Sequence, residues 1–555
     1  MRKLNYIYSL LLFLPCLLFA VSFSRAEAVT VEYGTVLDTK GTSVLVDYYA
    51  VDKKEYYICN VTTLACTATT KMTLGGTTAL PIKATLKKQL AAKNADHLTL
   101  SASKNLLAYY IQRSDAKPIR TFTIRNIKTA KEYSVQESVG YWDLINEQHN
   151  IYSFSPDSKK LVYLDDKDGQ SSIYMVNTST LSGTTFKSSK LPTTALQVSE
   201  VVFTDNNTLY YIGNSKDNPY QWSLYRYNLK TNKDLAIVTD VSYVDPLIKV
   251  GSSVVFNQLQ ALGYGIALYD TVAKKAHQFS TPGIDTKSDL SGEQVVHIGN
   301  QTGVVMAPLN MDPLKTYPLV IWLHGGPDRQ SSYGYQPYHS YGLYDSILKL
   351  MQNDNVIILK LDYRGSLGLG RAYSESIKDS VGLGDVTDVM EAVAYMQNGY
   401  HVSNTYLAGN SYGGYLSLKT LVEHPNTFAG VLSINGVTDW ASLLIPLKNS
   451  IFNVDFNGLP NPSNQALYDQ ASILNKIGNL GNQKVEIIQG QADQTINPSQ
   501  AELLYNALTA SHKNVSIVRY PGEDHVFKYP QTISDLCTQM FTFVGVAPDA
   551  QCITN

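Results

Sequence analysis

At 555 residues the chain is longer than one hydrophobic core organises, so roughly two or three domains are expected. A hydrophobic content of 44% is that of a globular protein, and a formal net charge of −2 offers no basic field, which excludes nucleic acid as a partner. Tyrosine is the one excess, 39 residues against 15 phenylalanines, much of it in alternating runs of the first half that read as strands.

The N-terminus reads as an address. Arg2 and Lys3 precede an uncharged run from Asn5 to Ser24, and Ala26-Glu27-Ala28 is a small-x-small cleavage site, so residues 1–28 form a signal peptide and the mature chain begins near Val29. The product is exported, periplasmic or secreted. The alternative is an uncleaved membrane anchor, since about 20 uncharged residues just span a bilayer; lipidation at Cys16 is a minor option because Pro15 stands where a small residue belongs. No later stretch is apolar enough to cross a membrane, so after cleavage the membrane is not a partner.

Export also sets how the cysteines are read. Cys59, Cys66, Cys537 and Cys552 remain, an even number in an oxidising compartment. Of the three possible pairings, Cys59 with Cys66 and Cys537 with Cys552 close short loops and are the simplest. The Cys59–Cys66 spacing, with no second pair or histidine nearby, fits no zinc site. Neither metal nor cofactor is expected.

From Val31 to Gly292 strand pairs dominate and helical periodicity is nearly absent. Recurrent units open on a polar turn and continue as an alternating strand: Leu106 to Tyr110, Phe154 to Tyr163, Phe203 to Tyr211 and Gly251 to Phe256. They recur about every 45 to 55 residues, the length of one four-stranded propeller blade, giving about five or six blades. A second signal, a strand ending in Asn or Asp, recurs at Asn60, Asn177, Asn228 and Asp270. A β-sandwich is the alternative, but it needs no such long period. Asp165-Asp166 reads as a solvated pair in a polar blade turn.

From about Gln294 the pattern changes. Continuous apolar runs (Pro318 to Leu323, Val356 to Leu361, Val431 to Ile434, Val485 to Ile488, Val515 to Val518) alternate with helical patterns, as where Val386, Val389, Met390, Val393 and Met396 share one face. That is a largely parallel sheet covered by helices on both sides. The expected architecture is therefore a β-propeller-like domain over residues 29–293 and an α/β-hydrolase domain over 294–555.

Within the second domain, Gly409-Asn410-Ser411-Tyr412-Gly413-Gly414 lies between the apolar run Thr405 to Ala408 and a helix-compatible run from Tyr415. Strand, sharp turn and helix make G-x-S-x-G a nucleophile elbow that lifts Ser411 above the sheet. Its acid and base should follow in the order acid, histidine, each on a loop after a strand. His424 and His512 fall at helix ends, which leaves His525 in Pro521-Gly522-Glu523-Asp524-His525. Asp493, directly after the strand Val485 to Ile488, is the orienting acid; it accepts from one imidazole nitrogen and leaves the other to take the Ser411 proton. For the oxyanion, Tyr412 supplies one backbone N–H at a helix N-terminus, and Gly326 of His324-Gly325-Gly326-Pro327 the second.

These motifs, together with Asp362-Tyr363-Arg364-Gly365-Ser366 and Gly384-Asp385-Val386-Thr387-Asp388, resemble the prolyl oligopeptidase family of serine peptidases, especially its acylaminoacyl peptidase and bacterial aminopeptidase-like branch. The resemblance spans about residues 300 to 530 and is architectural in the first half, where the family carries a propeller over the active site. It implies Ser411, Asp493 and His525 as the triad, and places Val437 and Trp440 near the pocket for the residue before the scissile bond. Two features depart from the pattern: Val526 replaces a frequent glycine and Asp524 adds a charge beside the histidine. The paired glutamates with which dipeptidyl peptidases hold a free amino terminus are not recognisable, which puts dipeptidyl specificity in doubt. The reading is an exported serine peptidase acting on short peptides through an acyl-enzyme. The alternatives are an esterase or lipase with the same triad, and a catalytically silent binding protein.

Overall fold

A computed structural model describes residues 32–50, 53–70, 82–93, 95–112, 119–138, 151–215, 217–260, 263–279, 290–338, 341–446, 451–453 and 455–552. The signal segment 1–28 lies outside them. Among the described residues the first half holds five antiparallel units of four strands, within residues 32–69, 95–138, 152–190, 198–239 and 248–278. The first and last are joined where Glu32–Lys40 pairs in parallel with Gly263–Asp270, setting Tyr33 opposite Tyr264.

The turn chemistry explains the recurrence. In each unit the third strand ends on Asn or Asp, whose side-chain oxygen accepts the backbone N–H two residues on: Asn60, Asn126, Asn177, Asn228 and Asp270. Asn126 completes the series and was not singled out from the sequence. At the Phe154 unit, Ser155 Oγ donates to Asp157 at 2.7 Å, and Ser158 takes φ 60° to close the hairpin onto Lys160. The aromatic excess sits between the sheets: the Phe122 ring lies 4.9 Å from Tyr110 and 4.9 Å from Tyr163, and 5.4 Å from Tyr152.

Two features differ from expectation in this half. A helix, Ala84–Ala92, lies where strands alone are expected; Leu86 and Leu90, one turn apart, bury its face against Leu107 and Tyr109. The Asp165-Asp166 pair is not solvated, each residue being about 5% exposed. Asp165 pairs with Lys167, and Asp166 reaches across the chain to Arg371 at 3.1 Å.

The second half is built on a single eight-stranded sheet: β1 (Glu293–Ile298), β2 (Gln301–Met306), β3 (Tyr317–Leu323), β4 (Ile357–Asp362), β5 (Val402–Asn410), β6 (Gly430–Ile434), β7 (Lys484–Gly490) and β8 (Val515–Tyr520). Their order is 1-2-4-3-5-6-7-8, antiparallel through β1, β2 and β4 and parallel from β4 to β8. The inner strands β3, β4, β6 and β7 are buried on both faces and so largely apolar, whereas the edge strands β1 and β8 keep exposed residues. Along β3, Leu319, Ile321 and Leu323 enter one core, with α2 (Gly384–Gly399), α3 (Tyr412–Glu423) and α4 (Ser499–Ala510). Val320 and Trp322 enter the other, with α1 (Gly342–Asn353) and α5 (Pro530–Phe543).

Polar contacts tie the two halves. Tyr220 Oη donates to Thr302 Oγ1 at 2.9 Å, Trp222 Nε1 to Gln330 Oε1 at 3.1 Å, and Asn214 Nδ2 to the Gly368 carbonyl at 2.9 Å. Cys59 and Cys66 face each other on paired strands and form one disulfide; Cys537 and Cys552 form the other, holding the tail to α5. No helix among the described residues is long and apolar enough to cross a membrane.

Candidate active site

Ser411 stands at the junction of β5 and α3 with φ 59° and ψ −120°, a conformation that side chains rarely adopt and that is held by its surroundings. Its N–H donates to the Ile434 carbonyl at 2.9 Å, and its hydroxyl does not cap the helix it begins. The tightness of the turn explains two glycines. A Cβ at Gly413 would stand 1.9 Å from the Leu323 carbonyl oxygen, and one at Gly409 would stand 2.5 Å from it.

Asp493, on the loop after β7, and His525, on the loop after β8, meet in a 2.8 Å hydrogen bond from His525 Nδ1 to Asp493 Oδ2. The other carboxylate oxygen of Asp493 accepts from the N–H groups of Thr495 and Ile496, both at 2.8 Å, which fixes the carboxylate plane. Ser411, Asp493 and His525 thus stand beyond the C-terminal ends of β5, β7 and β8, on one edge of the sheet. All three are under 10% exposed.

Residues outside the sequence reading hold these loops. Asn435, just past β6 with φ 47°, donates its N–H to the Ile488 carbonyl, accepts from Gly490 N–H at 2.8 Å and donates Nδ2 to the His525 carbonyl at 2.9 Å. One side chain therefore connects the strand beside the elbow, the acid loop and the histidine loop. Glu523, fully buried, accepts from the N–H groups of Lys528 and Tyr529, bracing the histidine loop against the start of α5. An Asn-Gly pair after a strand was the only sequence signal for the first, and none marked the second.

Asp524, beside the histidine, accepts from the Gln494 and His525 N–H groups, which hold its carboxyl below the usual range, with the His525 imidazole adding to the effect. Val526 packs at the edge of the core below α5.

On the oxyanion side, Tyr412 N–H opens α3 and has no intrahelical acceptor. A Cβ at Gly325 would stand 3.1 Å from Ser411 Cβ, so the His324-Gly325-Gly326 loop lies directly against the elbow. Gly326 has φ 129° and is followed by a cis bond to Pro327. The His324 ring is stacked on Tyr363 and held through Gly325 O and Ser366 Oγ. Val437 is fully buried and Trp440 is 2% exposed, among the rings of Tyr412, Tyr415, Phe452 and Phe456. Among the described residues no group of three or more His, Cys, Asp or Glu is arranged to hold a metal ion.

The remaining motif residues brace the elbow from below. Arg364 grips Asp388 through Nε and Nη2 at 2.9 and 2.7 Å. Tyr412 Oη donates to Asp385 at 2.6 Å, and burial pushes the Asp385 carboxyl up to about 6. Because the folded-state value is raised, this group stabilises the fold most at low pH, and that contribution is lost as pH rises through about 6. Urea unfolding at pH 5 and pH 7.5 should show wild type losing stability relative to Asp385→Asn by about 1.4 kcal/mol. A constant difference between the two proteins at both pH values would contradict it.

An eight-stranded α/β-hydrolase sheet with a serine at its elbow and an Asp–His pair on the following loops, joined to a propeller, defines a class of serine hydrolases. Residues 343–547 match the prolyl oligopeptidase family model, so the C-terminal half carries a prolyl oligopeptidase family domain. The chain is similar to a probable dipeptidyl-aminopeptidase B of Talaromyces marneffei, 25% identical over 346 residues, which cover 58% of this chain and 36% of that protein. It is also similar to dipeptidyl peptidase family member 6 of Caenorhabditis elegans, 25% identical over 248 residues, which cover 43% of this chain and 32% of that protein. The matched segments thus span about a third of the length of these relatives. Among solved structures, a Mycobacterium tuberculosis puromycin-hydrolyzing peptidase superposes with a TM-score of 0.67 at 16% identity, covering 93% of this chain and 79% of that one. An acylaminoacyl peptidase superposes with a TM-score of 0.56 at 13% identity, covering 93% and 96%. These likenesses establish the fold, a propeller followed by an α/β-hydrolase.

Proposed function

We propose that the chain is an exported serine peptidase that hydrolyses short peptides through an acyl-enzyme on Ser411, with a propeller domain (29–293) restricting access to a catalytic domain (294–555). The observation that carries the reading is the 2.8 Å bond between His525 Nδ1 and Asp493, on loops at the same edge of the sheet as the strained elbow serine. With Nδ1–H committed to the carboxylate, His525 Nε2 accepts the Ser411 proton as Oγ attacks the scissile carbonyl carbon. The developing oxyanion is met by the N–H groups of Tyr412 and Gly326, and the imidazolium returns its proton to the leaving amine. Water then enters, gives its proton to Nε2 and releases the acyl group. Two disulfides favour the oxidising compartment that export implies.

The relatives named as dipeptidyl peptidases raise the question of a clamp for a free amino terminus. Asp165 and Asp166 are not that clamp, being engaged with Lys167 and Arg371. The reading therefore stops at short peptides. If the propeller bounds a chamber, a folded substrate cannot bring a backbone segment to Ser411, and entry depends on movement at a polar interface within the chain. A free peptide should be cleaved, and the same segment held in a folded domain should be spared. Equal rates on both would favour an open site and an endopeptidase or esterase.

A further inference from the structure

The loop that carries Gly326 is fastened to the first half of the chain by one side chain. Gln330, four positions after Gly326, is fully buried, and its amide reaches across the interface: Oε1 accepts from Trp222 Nε1 and Nε2 donates to the Pro219 carbonyl, both at 3.1 Å. Neither partner belongs to the hydrolase half. The Pro219 carbonyl also accepts from Asn214 Nδ2 at 3.0 Å, and the same Nδ2 reaches the Gly368 carbonyl at 2.9 Å. Gly368 lies directly on the Gln330 amide, since a Cβ there would stand 2.1 Å from Nε2. Asn214 and Gln330, both fully buried, thus join the propeller segment 214–222 to two hydrolase loops, the one after β3 and the one after β4.

These bonds bear on the oxyanion side of the site because the loop after β3 is folded tightly on itself. A Cβ at Gly326 would stand 2.6 Å from Asp328 N and 3.2 Å from Arg329 N, so a shift at Arg329 and Gln330 displaces Gly326. The hydrolase half fixes the ends of this stretch, Tyr363 Oη donating to the His324 carbonyl and Ser331 N–H to Asp362. Between those ends the supports lead to the propeller. His324 Nε2 meets Ser366 Oγ at 2.9 Å, and Leu367 N–H donates to the Arg329 carbonyl at 2.8 Å. Ser366 and Leu367 stand on the loop after β4, which the propeller grips at Gly368 and, through Arg371, at Gly169 and Asp166.

Resting on the serine peptidase reading, with Gly326 as an oxyanion donor, we propose that Gln330 is a positioning residue that sets the Gly326 N–H only while Trp222 and Pro219 hold its amide. The propeller then acts on the chemical step as well as on entry. A buried amide without partners costs more than its bonds contribute, so when the halves part Gln330 turns to water and the loop loses its inner support. A substrate enclosed between docked halves meets a formed oxyanion site. One that reaches Ser411 with the halves apart does not.

The test uses the full chain and a short peptide substrate. Trp222→Phe removes one N–H from the propeller and leaves an aromatic ring; Gln330→Met keeps the length of the side chain and removes its amide. Each should lower kcat and kcat/KM together by about ten- to a hundredfold with KM within about twofold, since the loss falls on the transition state alone. A peptide boronic acid, whose adduct with Ser411 sets an oxygen in the oxyanion site, should lose affinity by the same factor, while the acid limb of the pH profile stays in place. The double variant should be no slower than the slower single one. Unfolding midpoints are measured throughout, and if Gln330→Met does not fold, the Trp222→Phe rates decide. Wild-type kcat in Trp222→Phe, or a raised KM with kcat retained, overturns the positioning role and leaves the peptidase reading standing. Losses that multiply in the double variant overturn the coupling between Trp222 and Gln330. Absence of fluorophosphonate labelling in wild type overturns the underlying reading.

Discussion

Ser411→Ala should cost at least about ten-thousand-fold in kcat, because no other side chain stands at the elbow to form the acyl-enzyme. The loss should come without unfolding. Alanine keeps the Cβ that packs toward Gly325, and the serine hydroxyl caps nothing whose removal would loosen α3. A fluorophosphonate probe should label wild type and leave the variant unlabelled while the two share an unfolding midpoint. Equal labelling would move the nucleophile elsewhere and sink the assignment.

The hydrolase half was readable because its inner strands are buried on both faces. Continuous apolar runs at β3 to β8 have few other homes, and the G-x-S-x-G turn admits almost no residue but glycine where the Leu323 carbonyl passes within about 2 to 2.5 Å of a would-be Cβ at Gly409 and Gly413. His525 was chosen by elimination, since the other downstream histidines sit at helix ends, and Asp493 by its place directly after a strand; His424 is indeed the C-cap of α3. What escaped was support. Asn435 and Glu523 act through backbone groups of residues far away in sequence, Asn435 on His525 across 90 positions, and such contacts leave no periodicity or spacing to read.

The propeller half was readable through its turns. An Asx turn is a local event, decided by a side chain and the two N–H groups after it, so Asn60, Asn177, Asn228 and Asp270 announced their hairpins directly. Helix Ala84–Ala92 was missed because only Leu86 and Leu90 bury a face, too few points for a 3.6-residue period to show. Asp166 was misjudged for a related reason. A carboxylate in a polar turn looks solvated until its partner is known, and Arg371 comes more than two hundred residues later.

Asp493→Asn is expected to be nearly as damaging as loss of the nucleophile, and the direction follows from where each oxygen points. Oδ1 accepts from the N–H groups of Thr495 and Ile496, so the amide of asparagine must keep its oxygen there to avoid setting its own N–H groups against two donors. That choice turns the Nδ2 group toward His525. An N–H donor facing Nδ1 selects the tautomer with the proton on Nε2, where it blocks the nitrogen that must receive the Ser411 proton. The ring stays in place, and its chemistry is reversed. A fall in kcat of about ten-thousand-fold is expected, with fluorophosphonate labelling slowed in parallel and the unfolding midpoint close to that of wild type. Asp493→Ala should differ in kind, because it also strips Thr495 and Ile496 of their acceptor and lowers stability by about 1–3 kcal/mol. A loss of less than about tenfold in Asp493→Asn would mean that the 2.8 Å contact does not set the tautomer, and the role of Asp493 would fall with it.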